Sequence, residues 1–410
     1  MENLSDAIVI GGGPCGSFTA LNLAKLKVKV RVFEEHAQIG FPAHCPGHVA
    51  INGLKRLGLY PLPEGIVENT FCGVIFHSPK GSEFSVRFSS PITCVVNRSL
   101  FDNYIAEMAK NKGVFYHLNS RVESLIFEDG FVKGVSVNQN GKVEKFFAKI
   151  VVDAEGISSK ILRQVNFSPK YGRMFVHGVH AEVENVENVE QDSVEVFLGK
   201  DYAPGFYAWL IPKGEDKAKV GLAAKRGNPK DFLQCFMLKH PVASKKLRKA
   251  KILHMAFHPI SLGGPISKTY SNGFLAVGDA ASQVKPTTGG GVIFGLSCAR
   301  IAAEVAYEAL QRNDFSSKFL SVYAQRCKEN FGFDMKVMLK VRKILNGLSD
   351  EKLDEAISLC ERLNLNKTLN KIEEIDFQGK TLLKLLPNPR VLPIILRFVF
   401  LYISATFMEQ

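Results

Sequence analysis

Between the apolar run Ala7-Ile8-Val9-Ile10 and a second apolar stretch from Ser17 to Leu26 lies Gly11-Gly12-Gly13-Pro14-Cys15-Gly16, a G-x-G-x-x-G turn. Asp6 to Ile10 reads as a buried strand, Ser17 to Leu26 as a helix, and Lys29 to Phe33 as a second strand that ends at Glu34. Gly11, Gly13 and Gly16 let the backbone turn tightly and approach a pyrophosphate at the helix N-terminus, while the Glu34 carboxylate can accept hydrogen bonds from ribose hydroxyls. Pro14 fits a first-turn position that needs no donor. The glycine spacing alone is a weak signal, but with both strands and Glu34 it predicts the opening βαβ unit of a dinucleotide-binding sheet.

A second signal begins at Gly273, in GFLAVGDAASQVKPTTGGGVIFGL. A buried strand over Asn272 to Val277 ends at Gly278-Asp279, which brings Asp279 to the carboxyl edge of the sheet, within reach of a ribityl hydroxyl. Gly289, Gly290 and Gly291 then open a helix at Val292 whose positive end can face a flavin pyrimidine. The bland alternative is a charged strand-end turn. Read together, the two signals imply FAD. Between them, Leu100 to Lys112 has helical spacing, residues 61–94 and 114–137 carry short strand patterns, and residues 172–224 read as antiparallel strands.

With VVDAEG at Val151 to Gly156, and with Arg98 and Asp102 in NRSLFDNYIAEMA, the chain resembles the para-hydroxybenzoate-hydroxylase-like FAD enzymes. Within that class it is similar to the geranylgeranyl reductases, including the archaeal digeranylgeranylglycerophospholipid reductases. PGFYAWLIPK (Pro204 to Lys213) resembles their PxxYxWxFPK element and holds the single Trp of the chain, and VKPTTGGGVIFGL resembles their second flavin motif. Ile211 stands where the family has Phe, and FPAHCPGHVA is only loosely like the family's Cys-containing loop.

The resemblance implies an α/β (α+β overall) fold in which a Rossmann-like FAD-binding domain is interleaved with an antiparallel-sheet substrate domain. The expected division is 1–60, 95–160 and 260–310 for FAD, 61–94 and 161–259 for substrate, and a C-terminal helical region over 311–410. Beyond Gly11, Gly13, Gly16, Glu34, Arg98 and Asp279, it implies cofactor contacts from Cys15, Cys45, Pro46, His48, Val122, Gly291 and Val292. The implied reaction is saturation of the C=C bonds of geranylgeranyl chains on an isoprenoid lipid precursor. Such alkenes are unactivated, so a hydride from reduced flavin must be matched by a proton at the other carbon, in a dry site rich in π faces.

Tyr207 and Trp209, two apart and so on one face if this is a strand bounded by Pro204 and Pro212, can wall a prenyl pocket; the same pair can equally be ordinary core. Cys45 is a candidate for pairing with another thiol or poising a proton, with Cys298 as its partner of interest, although a lone Cys is commonly a small buried hydrophobe.

The formal net charge of +12, from 52 Lys+Arg against 40 Asp+Glu, favours anionic partners. A phosphorylated lipid head, an anionic membrane surface facing KKLRKAK (Lys245 to Lys251), and an acidic electron donor such as a ferredoxin all fit, and reduced nicotinamide is the other donor considered. Solvated surface is the commoner fate of such a run. Nucleic acid has only net charge in its favour and is set aside. The eight Cys lack metal-ligand spacing, which argues against a zinc site.

No signal peptide opens the chain, which points to the cytoplasm, peripheral on the inner face of the cell membrane. VLPIILRFVFLYISATFM (Val391 to Met408) is apolar but interrupted by Pro393 and Arg397, and reads as a core or interfacial helix. Two competing readings are a flavin monooxygenase acting on an apolar substrate, which the PxxYxWxxPK stretch opposes, and a non-catalytic prenyl-binding carrier, which the intact flavin residues oppose.

Overall fold

A computed structural model describes residues 4–167, 174–372, 374–385, 387–389, 391 and 393. The chain divides into two compact units, one of Met1–Ala43, Arg98–Met174 and Ser261–Phe333, the other of His44–Asn97, Phe175–Ile260 and Asp334–Gln410.

The first unit is built on an eight-stranded sheet. Leu4–Ile10 lies in the middle, parallel to Val30–Phe33 on one side and to Lys142–Asp153 on the other. Phe115–His117 and Phe274–Ala276 extend the parallel set outward. Ile8, Val9, Val32, Val151, Val152 and Leu275 are all at 0% exposure, because a parallel sheet covered on both faces needs continuous apolar strands. The N-terminal half of Lys142–Asp153 pairs antiparallel with Phe131–Gln139, which pairs with Ser120–Glu128. Pro14–Lys25 packs against both Arg98–Lys110 and Val292–Arg312.

Register explains how distant motifs meet. Ile10 is opposite both Phe33 and Asp153, and Asp153 is opposite Ala276. Four parallel strands therefore end level, and Gly11, Glu34, Ala154 and the Gly278-Asp279 turn leave the same carboxyl edge, where open α/β sheets bind ligands.

The second unit holds a seven-stranded sheet in the order Lys251–Ser261, Phe175–Glu184, Lys217–Ala224, Ala208–Gly214, Ser193–Phe197, Gly73–His77 and Glu83–Arg87. From Phe175–Glu184 to Glu83–Arg87 its pairings are antiparallel except that Ser193–Phe197 runs parallel to Gly73–His77. Pro229–Lys239 and Ala243–Leu247 cover it, with Val179, Val220, Leu222, Leu233 and Phe236 forming the core between. A small sheet places Thr93–Val96 between His48–Ala50 and Val67–Phe71. Asp350–Arg362, Asn366–Leu369 and Gln378–Leu385 are helical, and Ile357 and Leu365 pack against Phe84 and Val86. Except for Val391 and Pro393, the Val391 to Met408 stretch lies outside the described residues. No described helix is long and apolar enough to cross a membrane.

Candidate active site

Glu34 follows its strand immediately and is nearly buried. Its Oε2 accepts from Gly12 N at 2.7 Å, and its Oε1 accepts from His36 N at 3.0 Å and approaches His36 Nδ1 at 2.6 Å. A carboxylate has about four acceptor sites, so these bonds orient Glu34 and leave capacity for ribose hydroxyls. Gly11 sits at φ +92°, and a Cβ there would lie 2.4 Å from Ala154 O. A Cβ on Gly16 would lie 2.0 Å from Gly11 O, whereas one on Gly13 would meet nothing within 4 Å. Gly11 and Gly16 are thus demanded by the protein's own packing. At Gly13, beside the N-terminus of Pro14–Lys25, the protein's own packing leaves open space, which is what an anion at a helix N-terminus would require.

Arg98 opens the helix Arg98–Lys110 and holds Asp102 through two bonds, Nε to Oδ1 at 3.0 Å and Nη2 to Oδ2 at 2.8 Å. This fork fixes the guanidinium in place. Asp279 lies just after Phe274–Ala276, half-buried, with its Oδ1 3.1 Å from where a Cβ on Gly291 would be. Gly291 caps Val292–Arg312, so Asp279, Gly291 and Val292 converge at one helix N-terminus. Gln283 Oε1 accepts from Gly278 N at 2.7 Å, and Tyr323 Oη, which donates to Ala276 O at 3.1 Å, is 2.6 Å from Gln283 Nε2; these buried bonds hold the turn.

Cys15 Sγ is wedged against Gly278 and Gly295, at 3.0 Å and 2.6 Å from their would-be Cβ positions. Burial, with Asp279 adding, pushes its thiol far above the ordinary range. The side chain is committed to packing, so its backbone amide is the group left to offer a cofactor. Val122 lies on Ser120–Glu128, opposite Val137, and packs against the apolar core of the first unit.

Cys45, Pro46 and His48 belong to the second unit. The Cys45–Cys298 bond considered from the sequence is not formed, for all eight cysteines are free. Cys298 is wholly buried in its helix and meets the Cys327 thiol instead, with burial and Cys327 raising its pKa.

Tyr207 immediately precedes the strand Ala208–Gly214, and its ring meets Trp209 edge-on at 5.9 Å and stacks on Phe206 at 4.3 Å. Pro212 does not end this strand, as expected, but lies within it beside a register shift, where a bulge tolerates the missing N–H. Gly221 is opposite Trp209 and makes room for the indole, since a Cβ there would be 2.6 Å from Trp209 Cζ2. Trp209 Nε1 is buried with no hydrogen-bond partner among the described residues. Arg342, also buried, stands 4.6 Å from the Phe206 ring centroid, and burial pushes the Tyr207 hydroxyl up to about 12.

Within Lys245 to Lys251, Lys246 reaches inward to the buried Glu195 at 2.7 Å, while Lys249 and Lys251 pair with Glu187 and Glu184. The run is therefore only partly a free basic face. Sequence reasoning also passed over Lys219, which is almost completely buried. A Lys within a strand ordinarily reads as solvent-facing, so no local signal marked it.

Glu34 and Asp279 stand at two strand ends on the carboxyl edge of a parallel sheet, and residues 6–197 match the family model of FAD dependent oxidoreductases. Residues 176–258 match the model of the geranylgeranyl reductase catalytic domain. The chain belongs to the digeranylgeranylglycerophospholipid reductase family and is an FAD-dependent oxidoreductase of the geranylgeranyl reductase type. It is 33% identical to digeranylgeranylglycerophospholipid reductase 2 of Methanopyrus kandleri, over 93% of this chain and 97% of that one. It is 34% identical to the digeranylgeranylglycerophospholipid reductase of Methanocaldococcus jannaschii, over 86% and 90%. A geranylgeranyl bacteriochlorophyll reductase-like protein from Thermoplasma acidophilum shares the fold, with TM-score 0.86, 24% identity, and coverage of 97% of this chain and 99% of that one.

Proposed function

We propose that this flavoprotein saturates the C=C bonds of geranylgeranyl chains on an archaeal-type membrane lipid precursor. The observation that carries the reading is the Phe206-Tyr207-Trp209 cluster, which lies inside the segment matched to the reductase catalytic domain. Reduced FAD, when bound, supplies the hydride. Glu34, Arg98 and Asp279 hold ribose, diphosphate and ribityl groups, and the backbone at Gly11, Gly13, Cys15, Gly16, Gly291 and Val292 lines the same cofactor. Val122, Cys45, Pro46 and His48 add contacts. The Tyr207 and Trp209 rings exclude water and present π faces to charge developing on the tertiary carbon. Cys45 and Tyr207 are the candidate proton-bearing groups of the chain.

On this reading the enzyme works at the inner face of the cell membrane, where a lipid precursor of this kind is met. Lys245 and Arg248, with Ile252, Leu253 and Phe257 exposed on the outer strand, supply a basic and apolar edge for an anionic headgroup surface. A ferredoxin-like protein or reduced nicotinamide serves as electron donor.

The test is anaerobic incubation of the dithionite-reduced holoenzyme with digeranylgeranylglyceryl phosphate, followed by mass spectrometry of the lipid. A gain of one hydrogen pair per reduced bond, with flavin reoxidation, is expected. An unchanged lipid from a flavin-loaded protein rejects this substrate, and substrate-coupled oxygen consumption identifies a monooxygenase instead.

A further inference from the structure

The second unit contains an ionic quartet, gathered around the buried Lys219, for which the flavin and substrate contacts above have no use. Lys219 Nζ donates to Glu68 Oε2 at 2.5 Å, to Pro46 O at 3.0 Å and to Val96 O at 3.3 Å, so all three of its protons are placed. Glu68 Oε1 also takes Lys213 at 2.9 Å, Lys213 pairs with Glu182 at 3.0 Å, and Glu182 closes the ring 3.9 Å from Lys219.

Two further features show that the chain is shaped to form it. The ladder of Val67–Phe71 shifts register between Val67 and Asn69, and that of Ala208–Gly214 shifts between Pro212 and Gly214. The residues left over at these shifts are Glu68 and Lys213, both members of the quartet. A bulge re-aims a side chain that regular alternation would send to the other face. Two bulges on different strands have thus turned opposite charges toward one point. A buried ion pair is weak evidence for stability, since apolar residues of similar volume often do as well, so its purpose is sought in what it holds.

It holds two elements. Lys213 ends the aromatic element that carries Tyr207 and Trp209, and Lys219 is opposite Ile211 of the same strand. At the other end Lys219 grips the Pro46 carbonyl, while Val96 N donates to Gly47 O at 2.9 Å and His48 pairs with Val95. We propose that Lys219 is a positioning residue that, through Glu68 and Lys213, locks the Cys45-Pro46-Gly47-His48 loop to the aromatic substrate element. The inference rests on the reading of that loop as a cofactor contact. Its consequence is that the Cys45 loop and the aromatic element are set together, through a residue that touches neither ligand.

Lys219→Met alone strips one cation from the quartet and endangers folding. Lys219→Met/Glu68→Gln removes one charge of each sign, keeps the Lys213–Glu182 pair, and still severs the tether to Pro46. Both are compared with the wild-type holoenzyme for melting temperature, FAD affinity, visible flavin spectrum, and kcat and KM with digeranylgeranylglyceryl phosphate. The double variant is expected to unfold cooperatively, bind FAD about tenfold more weakly, a change of about 1.4 kcal/mol, show a shifted flavin band, and lose more in kcat than in KM. A folded double variant with the wild-type FAD affinity, flavin spectrum and kcat overturns the proposal. A wild type that leaves the lipid unchanged speaks against the substrate assignment, and affinity and spectrum then decide the role of Lys219 on their own.

Discussion

Gly12 N donates to Glu34 Oε2 at 2.7 Å, joining the glycine turn to the end of the neighbouring strand across 22 residues of sequence. Glu34→Ala leaves a buried donor without its acceptor, at a cost of about 1–3 kcal/mol. FAD affinity is expected to fall at least ~10-fold, since 1.4 kcal/mol is a factor of ten. Flavin fluorescence titration checks this, and Glu34→Gln, which keeps an oxygen acceptor, should retain more of the affinity.

Two glycines of the same turn should behave oppositely. Gly16→Ala forces a methyl to within 2.0 Å of Gly11 O, so the FAD-free protein should lose about 1–3 kcal/mol of stability. Gly13→Ala meets open space and should leave the FAD-free melting temperature nearly unchanged while weakening FAD binding. Thermal melts with and without FAD separate the two, and equal melting losses would sink the reading of Gly13 as cofactor room.

Trp209 makes no hydrogen bond through Nε1 among the described residues, so Trp209→Phe costs the fold packing volume but no bonded donor. A modest stability loss of about 1–2 kcal/mol is expected. The kcat/KM for prenyl reduction should drop roughly tenfold, about one unit of 1.4 kcal/mol in transition-state stabilisation. Unchanged kinetics would return the aromatic pair to the role of ordinary core.

His180 and His240 are both buried, and burial first, then Lys219 for His180 and His77 for His240, lowers each to about 4. His240 Nδ1 accepts from Val242 N and Ala243 N at 3.2 Å, bonds that need a neutral ring. With folded values below the unfolded value of about 6.5, the unfolded chain binds more protons between those limits, so stability rises with pH there. The contribution is complete above about pH 6.5 and is lost as the pH falls toward 4, at up to roughly 3 kcal/mol per histidine. Urea unfolding at a series of pH values measures the slope, which His240→Gln should flatten.

Lys245→Glu/Arg248→Glu tests the membrane edge. Each basic residue near an anionic surface contributes about 1 kcal/mol, so sedimentation with phosphatidylglycerol vesicles should weaken by at least ~10-fold at low salt. Wild-type binding should itself fall at high salt. Salt-independent binding, or none, would remove this edge from the membrane reading.

The strand-turn-helix unit and the strand-end positions of Glu34 and Asp279 were legible in the sequence because their signals are local. Gly11, Gly13 and Gly16 lie within one turn, Glu34 at the next strand end, and Asp279 at the end of another apolar strand, so spacing along the chain carries the chemistry. Arg98 and Asp102 are four apart on one helix, the spacing at which side chains of opposite charge meet, and in the structure they do. The side-chain environments were not local. Cys298, one candidate partner for Cys45 by sequence, meets Cys327 on the adjoining helix, because which faces of two helices meet is a matter of packing.

What only tertiary structure decided is clearest at Lys219 and Glu68. By alternation a strand lysine belongs in water, and nothing in the residues around it says that a bulge on another strand, 151 positions away, will turn a carboxylate toward it. The sequence by itself determined the parallel sheet, its glycine turn and the aromatic element, since each is written in short-range pattern. The partners of buried charges were decided by the folded structure, because in a low-dielectric interior a charge is tolerated only where the complete fold brings it a counter-charge or a carbonyl.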